Sequence, residues 1–283
     1  MTWASRPCLR RAESNSPENK ASQVTARNQL QTTAEYQPIF RLAGLDAAGV
    51  FTHPQIVPWR RLSDRENCTL DTTYEDGRRI RLHVKRYAPT HRPTTPAEDE
   101  VAGHRLLLSH EIPTAPLAGW GVLEDGRSFV IFDDLAGYKP ADKLIESGTS
   151  FDRLSQATAD LAARLHHTGL HHRDLYLCHF MAKTEGDDPD VKLIDPARVR
   201  RLPGFLTRGR WIVKDLAQFW YSTVSLPISD VQRKAWINRY VEQRHLPGTA
   251  LLRGNVERKV RRIARHDARL NKLHPTRNIS IPD

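Results

Sequence analysis

The stretch from Phe151 to Asp195 constrains this chain more than any other. Between Phe151 and His167 the apolar residues Leu154, Leu161 and Leu165 recur at helical spacing, Asp152 stands in the first turn, and Gly169 follows as a stop. The predicted helix runs straight into HHRDLYLCHF, after which HFMAK and VKLI are two short strand candidates joined by the acidic, turn-forming TEGDDP. If Phe180 to Lys183 pairs antiparallel with Val191 to Ile194, His179 and Asp195 come to the same end of the hairpin. That end lies beside the loop carrying His172, Arg173 and Asp174. Two acids and a candidate metal ligand then converge.

Upstream, the pattern changes to strands. In Arg79 to Tyr87 the apolar Ile80, Leu82 and Val84 alternate with Arg81, His83 and Lys85, so Lys85 points away from the core face. Thr69 to Tyr74 is a partner strand, with Glu75, Asp76 and Gly77 as turn residues. Thr95, Pro96 and Glu98 mark a helix start, with Thr at the N-cap, Pro at the first helical position and Glu closing a capping box; the helix is expected to end near Ser109. Ser128 to Phe132 reads as a buried strand, leaving through Asp133 and Asp134.

Phosphoryl transfer asks for such a set: a carboxylate to accept the acceptor's hydroxyl proton, another to hold Mg²⁺ against the phosphates, and a lysine on the phosphates that stay behind. In the protein-kinase-like superfamily V-A-I-K, a helix glutamate, H-R-D-L-x-x-x-N and D-F-G follow in that order. Here they read HVK, Glu100, HRDLYLCH and IDP. The chain resembles more closely the bacterial lipopolysaccharide core kinases, which phosphorylate heptose or Kdo sugars of the inner core. HVKRY, EDEVAGHRLLLSHEIPTAP, HHRDLYLCHF, VKLIDPARVRR and RWIVKDLAQFWYS carry the similarity, from about Phe40 to Ser222.

The resemblance implies an α+β, bilobal protein-kinase-like fold, with a small antiparallel-sheet N-lobe and a mostly helical C-lobe. It implies ATP and Mg²⁺, or Mn²⁺, as cofactors. Lys85 is expected on the nucleotide phosphates and paired with Glu100; Glu98 competes for that role, but the capping box claims it. Asp174 is expected as general base, with Arg173 bracing the loop and His172 beside it, and Asp195 as metal ligand. Asp133 to Leu135 would form the hinge that meets the adenine, and Asp215 would hydrogen-bond the Asp174 loop from beneath. Two departures stand out. His179 replaces the metal-binding asparagine, as in the lipopolysaccharide kinases, although Mg²⁺ prefers oxygen. No glycine-rich run precedes Lys85; the equivalent segment is expected around Arg65, Glu66, Asn67 and Cys68. Pro196 and Ala197 follow Asp195 where protein kinases have the rest of D-F-G.

Residues 1–36 read as a disordered leader, 37–134 as the N-lobe, 135–276 as the C-lobe and 277–283 as a tail. The 283 residues carry a formal net charge of +10, which invites an anionic partner. The expected partners are a glycolipid or sugar acceptor and the anionic inner face of the cytoplasmic membrane, touched peripherally by a cytoplasmic protein. Nucleic acid is not expected, because no aromatic residues interleave the basic run from Arg253 to Lys272. That run also fits a solvated helix face. The three cysteines form no CxxC pair, and Gly169 keeps His167 and His171 from sharing a zinc-binding helix face. The competing readings are a protein or small-molecule kinase of the same fold and a pseudokinase scaffold. The sequence carries no signal for oligomeric state.

Overall fold

The computed structural model describes residues 27–186 and 188–273. The first elements are β1 (Gln31–Thr32), α1 (Gln37–Leu42), α2 (Gly49–Thr52), β2 (Ile56–Arg61), β3 (Arg65–Thr73) and β4 (Arg79–Tyr87). Then come α3 (Pro96–Ser109), β5 (Leu117–Val122) and β6 (Ser128–Asp133). The rest comprises β7 (Lys139–Pro140), α4 (Ala141–Glu146), α5 (Phe151–His167), β8 (Leu170–His171), β9 (Phe180–Lys183), β10 (Asp190–Leu193), β11 (Arg200–Arg201), α6 (Phe205–Ser222), α7 (Asp230–Gln243) and α8 (Thr249–Leu273).

β1 to β6 form a six-stranded sheet in the order β1-β5-β6-β4-β3-β2, every neighbouring pair antiparallel. Because side chains alternate along a strand, its two faces carry different chemistry. Cys68, Leu70, Leu82, Val84, Phe129 and Ile131 turn to one face and pack on Ile39, Phe40 and Val50 of α1 and α2. On the other face Tyr87, Val130 and Phe132 meet Ala97 and Val101 of α3. The register lines up Arg60, Asn67, Lys85 and Val130 across four strands.

Below the sheet lies the larger core, where Leu154, Leu161 and Leu165 of α5 pack with Phe219 of α6 and with Trp236 and Tyr240 of α7. The Phe219 and Trp236 rings stack with centroids 3.8 Å apart. The β9–β10 hairpin has the expected antiparallel register, Phe180 facing Leu193. Phe219 and Trp220 are core side chains, and α8 keeps Arg258, Arg261, Arg262, Arg265 and Arg269 exposed. The whole is an α+β, protein-kinase-like fold of sheet half and helical half.

The expected leader overlaps the fold at its end. Gln31 and Thr32 pair with Trp120 and Gly119, and Tyr36 is buried, its hydroxyl donating to Asp133 at 2.7 Å. A two-residue strand has no period for the sequence to display, so it was hidden in polar composition. Residues 1–26 of that leader, and the expected 277–283 tail, lie outside the described residues. The segment expected to stand in for the glycine-rich run, Arg65 to Cys68, is the start of β3, and the turn before it is Leu62 to Asp64.

Candidate active site

Lys85 comes from near the C-terminal end of β4, on the face opposite Leu82 and Val84. α3 sets its partner. Thr95 caps the helix and Glu98 reaches back to the Thr95 amide at 2.8 Å, which commits Glu98 to the cap and turns Glu100 under the sheet. The Lys85 ammonium then donates to both Glu100 oxygens, at 2.9 and 3.0 Å, and to Asp195 Oδ1 at 2.8 Å. Tyr87, two residues along β4, donates its hydroxyl to Glu100 as well. Burial alone would lower the Lys85 ammonium, but the two carboxylates outweigh it and hold it above its ordinary value. Burial pushes the Glu100 carboxyl up despite Lys85. For Asp195 burial is overcome by Lys85 and His179, which keep it well below the usual carboxylate range.

Asp195 follows β10 with φ at +60°, a left-handed conformation that aspartate tolerates better than most residues. That twist aims its carboxylate back at Lys85. Its other oxygen lies 3.7 Å from His179 Nε2. His179 Nδ1 hydrogen-bonds the Asp174 carbonyl at 2.7 Å, which fixes the ring between Asp174 and Asp195. Burial works against a charged His179, yet the Cys178 thiol, Asp195 and the Asp174 carbonyl push its imidazole up to about 9.

The loop of His172 to Asp174 is held from below. Asp215 of α6 accepts the His172 amide at 2.7 Å and the Arg173 amide at 2.9 Å, and it also faces His166. Asp215 is fully buried, so it is no surface helix acid. Lys214 donates to the Arg173 carbonyl at 2.8 Å. Arg173 sits at φ +70° and lays its guanidinium over Trp211, 4.8 Å from the ring centroid. Its bracing is thus through backbone bonds and ring stacking. His172 is fully buried and bonds the Ile194 carbonyl at 3.1 Å, with burial lowering its imidazole. It ties the loop to Ile194, just after β10, and does not line the cleft.

Asp174 turns its carboxylate to the surface of the helical half. Arg198 Nη1 contacts both oxygens at 3.1 Å, and Gln218 donates to one at 3.3 Å. Sequence reasoning gave neither residue a role. Gln218 stands three positions after Asp215 on the same helix, a spacing that puts both on one face and could have found it. Arg198 is set by the 3₁₀ turn after Asp195, for which the sequence offers no period.

Above Asp195 opens a cleft of about 1060 Å³, lined by Arg60, Arg65, Asn67, Lys85, His179 and Asp195 at one end and by Asp133 to Leu135 at the other. The Asp133 and Asp134 amides are committed to the Pro116 and Arg81 carbonyls at 2.9 and 3.0 Å. The volume suits a nucleotide-sized ligand. Among the described residues no group of three or more His, Cys, Asp and Glu gathers as a metal cage. Asp195 and His179 supply two donors, which fits a hard cation only if ligand phosphates and water complete its shell.

The family model for the lipopolysaccharide kinase (Kdo/WaaP) family matches residues 67–240. This chain belongs to that family. Lys85, Glu100, Asp174, His179, Asp195 and Asp215 all fall inside the lipopolysaccharide kinase match, whereas Arg60 and Arg65 precede it. The chain is similar to the lipopolysaccharide core heptose(I) kinase WaaP of Pseudomonas aeruginosa, at 30% identity over 91 residues, which are 31% of this chain and 33% of that protein. The alignment therefore spans about a third of the curated relative.

Proposed function

We propose that this protein is an ATP-dependent kinase that phosphorylates a sugar hydroxyl of a lipopolysaccharide inner core, heptose or Kdo, or of a similar glycolipid. The observation that carries this reading is the meeting of Lys85 and Asp195 in one cleft, with Glu100 buried behind Lys85 and the Asp174 carbonyl joined to them through His179. In this reading Lys85, held by Glu100, contacts the nucleotide phosphates. Leu135 offers its amide to the adenine, since the amides of Asp133 and Asp134 are already engaged. Asp195 and His179 would hold Mg²⁺ or Mn²⁺, which would supply positive charge against the phosphates. Asp174 accepts the proton of the acceptor hydroxyl, with Arg198 yielding its place on the carboxylate. His172, Arg173 and Asp215 keep that loop in position.

The acceptor is proposed to lie at the inner face of the cytoplasmic membrane. No helix of the described residues is long and apolar enough to cross a bilayer, and the net charge of +10 favours an anionic surface. The test is transfer of labelled phosphate from ATP to deacylated inner-core sugars bearing heptose or Kdo. Wild type labels one of them, and Asp174→Asn lowers the rate about 10²- to 10⁴-fold, the range for losing a general base, while still binding ATP. Wild-type protein that neither labels the sugars nor binds nucleotide would sink the reading, as would an Asp174→Asn variant of unchanged rate.

A further inference from the structure

The turn ahead of Lys85 lacks the glycines that let a glycine-rich loop bring its backbone onto phosphates. Leu62, Ser63 and Asp64 contain no glycine, the Leu62 amide donates to the Arg65 carbonyl at 2.8 Å, and the Asp64 carbonyl accepts from Ala88 at 3.0 Å. These bonds close the hairpin on itself. Lys85 does not fill the gap alone, because Glu100 and Asp195 match its single charge twice over.

Unmatched positive charge sits elsewhere in the cleft. Arg60, at the end of β2, faces Asn67, which faces Lys85, so the three share the cleft side of the sheet. Arg65 is two residues before Asn67 and lies on the same side. Both arginines are half-buried and line the cleft. The Nε of each and the Asn67 Oδ1 are buried without a hydrogen-bond partner, and among the described residues neither guanidinium has a carboxylate within ion-pair distance. The nearby Glu66 points to the opposite face, where Arg61 takes it at 3.0 Å and Arg86 at 3.3 Å. Burial and the neighbouring Arg65 both press the Arg60 guanidinium below its ordinary value, with Asp195 offsetting them in part.

Two adjacent cations, partly desolvated and unpaired, are costly unless an anion completes them. A guanidinium offers five donors in a planar fork that fits phosphate oxygens in pairs. We propose that Arg60 and Arg65 form a side-chain clamp for the phosphate chain of a nucleoside di- or triphosphate, replacing the backbone cradle that the Leu62–Asp64 turn does not provide. This rests on the nucleotide-cleft reading above and assigns it two residues outside the family match.

Calorimetric titration of wild type, Arg60→Gln, Arg65→Gln and the double variant with adenosine, ADP and ATP in Mg²⁺ tests the clamp. Adenosine affinity stays at the wild-type value in every variant. ADP and ATP weaken in each single variant and at least tenfold in the double variant, and Arg60→Lys with Arg65→Lys recovers only part of the loss. Without ligand, the double variant melts at or above the wild-type temperature, because two unneutralised cations are gone. Wild-type affinity for ATP in the double variant overturns the clamp and leaves the nucleotide cleft standing. Parallel loss of adenosine and ATP with a lower melting temperature overturns it in favour of a structural role. Wild-type protein that binds neither adenosine nor ATP removes the cleft reading and the clamp together.

Discussion

Asp215 serves two successive backbone amides with one carboxylate, and the loop it holds includes Arg173 at φ +70°. A left-handed arginine costs on the order of 1 kcal/mol and persists only where its neighbours insist on it. Asp215→Asn keeps the shape but offers one oxygen, so its NH₂ faces an amide hydrogen. Loss of a buried acceptor costs about 1–3 kcal/mol. We expect that loss in denaturant unfolding, together with a larger fall in turnover than in ATP affinity. Equal falls in both would argue that Asp215 supports the fold at large and not the loop. At this scale motif position was enough to read that Lys85, Glu100 and Asp195 meet and that Asp215 lies beneath the Asp174 loop. Arg198 and Arg60 were not readable in this way, because each is placed by a turn or a cross-strand register that side-chain identity does not announce, and Gln218 was passed over although its helical spacing from Asp215 points to it. His172 was placed in the correct loop, yet which way a loop side chain points is decided by its burial.

Among the elements, α3 links the two halves of the cluster. Its capping box was legible and settled the choice between Glu98 and Glu100, since a glutamate bound to its own N-cap cannot also reach Lys85. Gly103, one turn on, was given no role. A Cβ built there would lie 1.9 Å from the Pro196 carbonyl oxygen, next to Asp195, and the obstacle is backbone. Gly103→Ala therefore forces the helix away from that turn. Overpacking of this kind costs roughly 1–3 kcal/mol. The expected result is a lower melting temperature and weaker ATP binding, since Glu100 moves with the helix; an alanine variant with wild-type affinity would show that the turn yields freely. β4, β6, β9, β10, α3 and α5 were readable from their sequence, whereas β2 and β5, six residues each, were not anticipated and β3 was expected to begin only at Thr69. β1, β7, β8 and β11 were not readable either, being two residues each and defined by partners distant in sequence.

For the whole molecule, the charge of +10 is concentrated in part on α8, whose exposed face carries Arg258, Arg261, Arg262, Arg265 and Arg269. Phe205 and Leu206 at the start of α6 are exposed too, 85% and 94%. Such a surface should hold the protein on vesicles containing anionic lipid at low ionic strength and release it as salt rises, since screening at 0.15 M reaches within about 8 Å. Sedimentation with anionic and with neutral vesicles measures this; retention indifferent to salt and lipid charge would contradict it. The acceptor was the least legible feature, because sugar recognition depends on how distant surface groups are brought together. The contact at Gly103 has one more consequence. There α3 meets the Pro196 carbonyl at a residue without a side chain, so at that point the approach of the two halves is limited by main-chain contact. The one methyl group that Gly103 lacks is thus the gap through which the Asp195 turn reaches the helix that carries Glu100.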